Sequence, residues 1–180
     1  SPQDAVLAAR SALNEKRYSS GTAARYGLAT ALLRARQFRE AEAEVERLLA
    51  AKQVHPMILQ LAARTALAAG NPALALQRYQ AGSAAHPGYR PLQVGHIEAL
   101  LAASRSKEAL ARVDQQLELY PLDRRLWRLA AQTHAQLGNR LLSHRAQAEA
   151  AALSGNLVAA IEQISLGIKA GDGSFHELSA

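Results

Sequence analysis

Arg36, Gly70, Ser104 and Gly138 stand thirty-four residues apart, and Ala41, Ala75, Ala109 and Ser143 follow each of them by five residues without an insertion. A period of this length with a Gly-like turn slot matches a helix, a tight turn and a second helix. The first slot is the turn, and the second is a small residue one turn into the following helix. Units of that kind bury their apolar faces only by stacking on their neighbours. The register therefore predicts an all-α protein, an α-solenoid of helix hairpins wound as a right-handed superhelix. Such a scaffold exposes a long surface suited to another protein chain.

Ten helices are expected. A lead helix covers about 3–16, with Ser1 as N-cap and Pro2 at the first helical position, where its missing N–H does no harm. Four pairs follow at about 22–35 with 38–51, 56–69 with 72–84, 90–103 with 106–119, and 124–137 with 140–153. A closing helix takes 156–170, and 171–180 is a tail whose loss is expected to be nearly silent. Residues 1–170 read as one domain with repeats at about 22–55, 56–89, 90–123 and 124–153.

Local signals support the turns. Gly70-Asn71, Gly138-Asn139 and Gly155-Asn156 each place a left-handed-tolerant glycine before an asparagine N-cap. Pro56, Pro87 and Pro121 fall between pairs, and Leu122 and Trp127 flank Asp123 with the spacing of a hydrophobic staple. Gly155 comes seventeen residues after Gly138, half a repeat, so the helix at 140–153 serves two hairpins at once. Ala160 and Ile164 then take the small and large packing slots of the closing helix.

With starts at 22, 56, 90 and 124, the repeats resemble tetratricopeptide repeats. Trp127 fills the aromatic slot of a first helix, Tyr79 that of a second, and Pro87 and Pro121 close their units. Arg25, Leu59 and Gln93 replace the tryptophan, while Leu32, Ala66, Leu100 and His134 replace the first-helix tyrosine. The resemblance implies that first helices line the inner surface. It selects Tyr26, Thr30, Leu33 and Arg34; Met57, Gln60, Arg64 and Leu67; Val94, Glu98 and Leu101; and Arg125, Arg128, Gln132 and Gln136. Of these, Tyr26, Arg34, Met57, Gln60, Arg64, Glu98, Arg125, Arg128 and Gln132 are the candidate partner-binding residues on the concave face. The Lys/Asn carboxylate clamp of chaperone-binding repeats is absent, since Tyr26 and Thr30 hold its leading positions.

Composition narrows the function classes. The charge is +6, from 21 Lys and Arg against 15 Asp and Glu, which favours acidic partners. With no cysteine there is no disulfide framework and no Cys-based metal or redox site. No apolar run reaches the roughly 18–20 residues of a membrane span. The histidines at 55, 86, 96, 134, 144 and 176 contain no pair at metal-ligand spacing, and structural roles are expected for them. Glu40, Glu42, Glu44 and Glu46 fan around their helix in steps of two, which predicts a solvated face with Arg36–Glu40 as an i,i+4 pair. Arg124, Arg125, Arg128, Arg140 and Arg145 form the most basic region. Without interleaved aromatics it is not read as a nucleic-acid surface.

Three stretches together are more specific than the repeat: Arg25-Tyr26-Gly27-Leu28-Ala29; Leu126-Trp127-Arg128-Leu129-Ala130 with Gln136-Leu137-Gly138; and His144-Arg145-Ala146-Gln147-Ala148-Glu149 with Gly155-Asn156-Leu157-Val158-Ala159-Ala160-Ile161-Glu162-Gln163. They resemble the C-terminal repeat region of bacterial periplasmic M48-family metalloproteases, the beta-barrel assembly-enhancing type. The resemblance implies a periplasmic location and a docking role for clients or outer-membrane assembly proteins. It also implies a zinc peptidase domain elsewhere in the full-length protein, as a further possible partner. The chain itself is not expected to be an enzyme or to hold a cofactor. His176-Glu177-Leu178-Ser179 is followed by Ala180, so the second histidine of a His-Glu-x-x-His motif is missing. Phe175 and Glu177 match the family tail, whose basic continuation is absent, as expected of an isolated C-terminal module. The alternative is a free-standing adaptor unrelated to proteolysis.

Overall fold

The computed structural model describes residues 1–50 and 54–172, and the tail positions Phe175, His176, Glu177 and Ala180 lie outside the described residues. Among the described residues there are ten α-helices and no strand: α1 Pro2–Asn14, α2 Gly21–Arg34, α3 Phe38–Leu49, α4 Pro56–Ala68, α5 Pro72–Ala85, α6 Arg90–Ala102, α7 Ser106–Leu119, α8 Arg124–Leu137, α9 Arg140–Ala152 and α10 Leu157–Ile168. Their order and pairing follow the sequence reading, with ends shifted by one or two residues. The chain divides into two compact units, Ser1–Ala99 and Leu100–Ala180.

The turn slot of the register has one backbone conformation throughout. Gly70 and Gly138 have φ of +83° and +81°, and Arg36 and Ser104 have φ of +60° and +58°. The last two carry a β-carbon into the left-handed region, at a cost of about 1–2 kcal/mol each. Arg36 regains part of this because its guanidinium lies 5.9 Å from the Phe38 ring centroid. Five residues later, Ala41, Ala75 and Ala109 are fully buried and Ser143 nearly so, which lets neighbouring helices approach closely.

In the first unit the core runs through Leu28, Leu32, Val45, Leu48, Ile58 and Leu61. A second cluster forms around Tyr79 and Leu92. Tyr79 is buried because position 95 is glycine: a β-carbon there would stand 2.4 Å from Cε1 and 2.6 Å from Cζ of the ring. His96 stacks on Tyr79 with the rings 13° from parallel, and its Nδ1 lies 3.3 Å from Ser83 Oγ.

The degenerate aromatic slot turns out to repeat a bond instead of a residue. Trp127 Nε1 donates to the Pro121 carbonyl at 2.7 Å. One period earlier, Gln93 Nε2 donates to the Pro87 carbonyl at 3.2 Å and to that of Ser83 at 3.2 Å. The glutamine thus supplies an N–H where tryptophan would have supplied one.

Several local expectations are corrected. Leu122 is exposed, so no staple forms; Asp123 caps α8 by accepting from the amides of Arg125 and Leu126 at 2.7 and 3.3 Å. Pro56 opens α4 behind the cap residue His55 and does not separate two pairs. The acidic residues of α3 are a solvated face only in part: Glu40 and Glu46 are exposed, Glu42 is half-buried and Glu44 is buried, and all four are ion-paired. Glu40 pairs with Arg10, Glu44 with Arg25 at 2.9 Å and with Arg47, and Arg78 spans Glu42 at 2.7 Å and Glu46. Arg78 also donates to the Ala62 carbonyl at 2.9 Å. Steps of two did spread the carboxylates, but arginines from α1, α2, α3 and α5 meet them, and Arg36 turns to Phe38.

In the second unit α9 packs against both α8 and α10, as the half-period at Gly155 requires. Asn71 and Asn156 cap their helices through Oδ1, but Asn139 does not cap α9. Asp172 does so from beyond α10, with Oδ2 accepting from Arg140 N at 2.5 Å and Oδ1 from Leu141 N at 3.0 Å. Loss of the tail from Gly171 onward would therefore remove a helix cap, contrary to the sequence expectation that it is nearly silent. The closing helix also departs from expectation: Ala160 is buried, but Ile164 faces out, and Gly167 is the second buried position. A β-carbon on Gly167 would meet His144 Cβ and Leu141 Cδ1 at 3.2 Å.

Two substitutions test this account. Ser104→Gly is expected to stabilise the protein by about 0.5–1 kcal/mol in denaturant unfolding, because relief of left-handed strain exceeds the added chain entropy. Gly95→Ala gains about 1 kcal/mol of helix propensity but collides with a fully buried ring, so a net loss of about 1–2 kcal/mol is expected in the same measurement.

Candidate functional site

The residues selected for the inner surface separate into exposed and buried sets. Arg34, Met57, Arg64, Arg125, Arg128 and Gln132 are exposed, and Tyr26, Thr30, Gln60, Leu67 and Glu98 are half-buried. Leu33, Val94 and Leu101 are buried and belong to the core. Three of the aliphatic positions were absorbed by packing, whereas Met57 and most of the polar ones reach the surface. Gln136 is exposed but committed: its Oε1 accepts from Ser106 at 2.6 Å and its Nε2 donates to the Leu101 carbonyl at 3.4 Å.

In the first unit, Tyr26, Thr30 and Arg34 follow one another by four residues on α2. With Ser1, Pro2, Ala5 and Ala9 of α1 they line a recess of about 610 Å³. Gly27 leaves its wall open, with nothing within 4 Å of where a β-carbon would be. Thr30 Oγ1 is buried here without a hydrogen-bond partner. On α4, Met57, Gln60 and Arg64 share one face by their three- and four-residue spacing.

The second unit holds another recess. Arg128, Ala131, Gln132 and Ala135 of α8 form one wall and Ala159 and Gln163 of α10 contribute another, with Ser143, Gln147, Ala150 and Ala151 of α9 and Ser154 completing a recess of about 500 Å³. Its small floor is set by the alanines. Ser143 Oγ donates to the Ala131 carbonyl at 2.9 Å and accepts from Gln147 Nε2 at 3.3 Å, and Gln163 Oε1 lies 2.8 Å from His144 Nδ1. Among the described residues, neither Arg128 nor Gln132 has a hydrogen-bond or ion-pair partner, and the same holds for Arg34 and Arg64. This contrasts with Arg10, Arg25, Arg47 and Arg78, all paired to α3.

Sequence reasoning placed Arg128 and Gln132 here but missed Ser143, Gln147 and Gln163. It confined the surface to first helices. The half-period at Gly155, which makes α9 a helix shared between α8 and α10, was the signal that extends the site to them. No group of three His, Cys, Asp or Glu among the described residues is arranged to hold a metal. No described helix is long and apolar enough to cross a membrane.

Comparison with known proteins places the fold. Residues 66–133 match the tetratricopeptide repeat family. Among solved structures, YrrB, a TPR protein with an unusual peptide-binding site, is 19% identical; the similarity covers 92% of this chain and 84% of that one with a TM-score of 0.68. A tetratricopeptide repeat protein from Parabacteroides merdae ATCC 43184 is 16% identical over 98% of this chain and 76% of its own, with a TM-score of 0.68. MamA from Desulfovibrio magneticus RS-1 is 14% identical over 83% of this chain and 94% of its own, with a TM-score of 0.65. No curated protein matches the chain.

The N-terminus of α9, a helix of the second-unit recess, is capped by Asp172. Partial desolvation pulls its carboxyl upward, but the bonds from the amides of Arg140, Leu141 and its own residue, with the charge of Arg140, outweigh this and lower it below the ordinary 3.8. A depressed folded value means that the contribution is complete above the unfolded value and fades as pH falls through the folded one. Asp172→Ala should therefore melt below the parent at neutral pH, with the gap closing as pH drops below 3.8. Circular dichroism melts across that range measure it, and a gap independent of pH would contradict the capping role.

Proposed function

We propose that this tetratricopeptide-repeat protein binds an extended segment of another protein, with acidic character, in the recess between α8, α9 and α10. The observation that carries this is the uncommitted pair Arg128 and Gln132 above an alanine floor. A floor of methyl groups admits a peptide main chain closely, side-chain amides of Gln132 and Gln147 suit its N–H and C=O groups, and a free guanidinium suits a carboxylate. The excess of positive charge favours the same class of ligand over longer range. Tyr26 and Arg34 of the α1–α2 recess, with Gln60 and Arg64 on α4, offer a second surface of similar chemistry on the first unit.

The finer reading is that this module docks a periplasmic metalloprotease to client proteins or outer-membrane assembly proteins, with zinc held in a separate peptidase domain. Its support is the resemblance of residues 25–29, 126–138 and 144–163 to such repeat regions. The alternative adaptor without proteolysis would use the same recess. The coding sequence preceding Ser1 separates them, because the protease reading requires a His-Glu-x-x-His motif there.

Binding of fluorescent eight-residue peptides, acidic against neutral, tests the proposal. Arg128→Ala is expected to weaken acidic peptides by about 1–3 kcal/mol, roughly 5- to 150-fold, with unchanged helicity. Arg125→Ala, on the next α8 position outside the recess, should lose much less. Equal affinity for both peptide classes, or equal losses in the two variants, would count against the assigned site.

A further inference from the structure

The closing helix carries its aliphatic side chains on the wrong side for a cap. It seats on α9 through Ala160 and Gly167, while Leu157, Val158, Ile161, Ile164, Leu166 and Ile168 remain between 48% and 70% exposed. Leu157–Ile168 contains one ionisable residue, Glu162. A terminal solenoid helix that faces water is polar on its outer side, and a helix apolar nearly all round belongs in an interior. The exposed aliphatic surface of the six residues is on the order of 600 Å² per copy, at the upper end of the largest patch on a typical monomer and approaching the ~800 Å² per partner of a standard interface.

The spacing identifies what covers it. Leu157, Ile161, Ile164 and Ile168 follow one another by four, three and four residues, which forms a single stripe and reads identically in both directions. We infer that the stripe is covered by α10 of a second copy of this chain, antiparallel about a two-fold axis between Glu162 and Gln163. That axis sets Leu157 opposite Ile168 of the second copy and Ile161 opposite Ile164, so every aliphatic meets an aliphatic. Glu162 and Lys169 lie roughly 110–130° around the helix from the stripe, so no charge is buried in the seam. Head-to-tail stacking lacks a matching surface, because α1 exposes Gln3, Asp4 and Arg10 with Leu7 as its one exposed large aliphatic. The self-complementary stripe favours a closed dimer. This inference is independent of the peptide site.

Sedimentation equilibrium of the 180-residue chain tests it. A dimer is expected, and the double variant Ile161→Glu, Ile164→Glu should raise its dissociation constant at least about 100-fold by burying charge in the seam. Both positions are exposed in the monomer, so helicity and acidic-peptide binding should be unchanged. The absence of native cysteine allows a register test. Ile161→Cys mixed with Ile164→Cys should form a mixed disulfide faster than either forms with itself. A parent chain monomeric at about 100 µM, a dimer unaffected by the double variant, or binding of the monomer to neutral phosphatidylcholine vesicles through this helix would overturn the inference, as would faster self-disulfides.

Discussion

Close approach of neighbouring helices at one small residue per repeat is the constraint on which the rest of this protein depends. Ala41, Ala75, Ala109 and Ser143 are buried in succession, each five residues after a left-handed turn residue. A larger side chain at any of them would push two helices apart and shift what they carry. Because each helix pair is locked this way, the polar residues between the seams are held at fixed positions, and the alanine floor of the second-unit recess is a by-product of the same packing rule.

The arginines show how such a scaffold separates stability from recognition. Those reaching α3 neutralise a row of glutamates, two of which, Glu42 and Glu44, are substantially buried. Arg78 is the most committed, binding two carboxylates and a carbonyl, and losing it would leave desolvated charge behind. Arg34, Arg64 and Arg128 have no such duty among the described residues, so their charge remains available to a partner.

What the sequence made legible was local or periodic. The hairpins, the glycine turns, the buried alanine slot and the shared role of α9 all follow from contacts within one repeat length. What it hid was set by residues distant along the chain. Glu40 and Glu46 look unpaired until Arg10 and Arg78 arrive from about thirty residues away. Asn139 looks like a cap until Asp172 takes the exposed amides of α9. Gln93 looks like a lost tryptophan until its N–H is seen on the same proline carbonyl that Trp127 uses one period later. For the site, side chains at the predicted inner positions were found where a polar residue stood, and were lost to the core at Leu33, Val94 and Leu101, because spacing alone does not weigh burial against exposure. In α10, Ala160 was placed correctly, but Gly167 rather than Ile164 makes the second contact, since glycine permits an approach that isoleucine blocks.

The central claim is that recognition occurs on the α8–α9–α10 recess. It is tested most directly by amide and side-chain NMR of the labelled protein during titration with an acidic octapeptide. The account predicts saturable shifts at Arg128 Nε, the Gln132 and Gln147 side-chain amides, and the backbone of Ala150, Ala151 and Ala159, with Arg10, Arg25 and Arg78 unmoved. Shifts that instead cluster on the paired arginines around α3, or that leave Arg128, Gln132 and Gln147 in place at saturation, would contradict it.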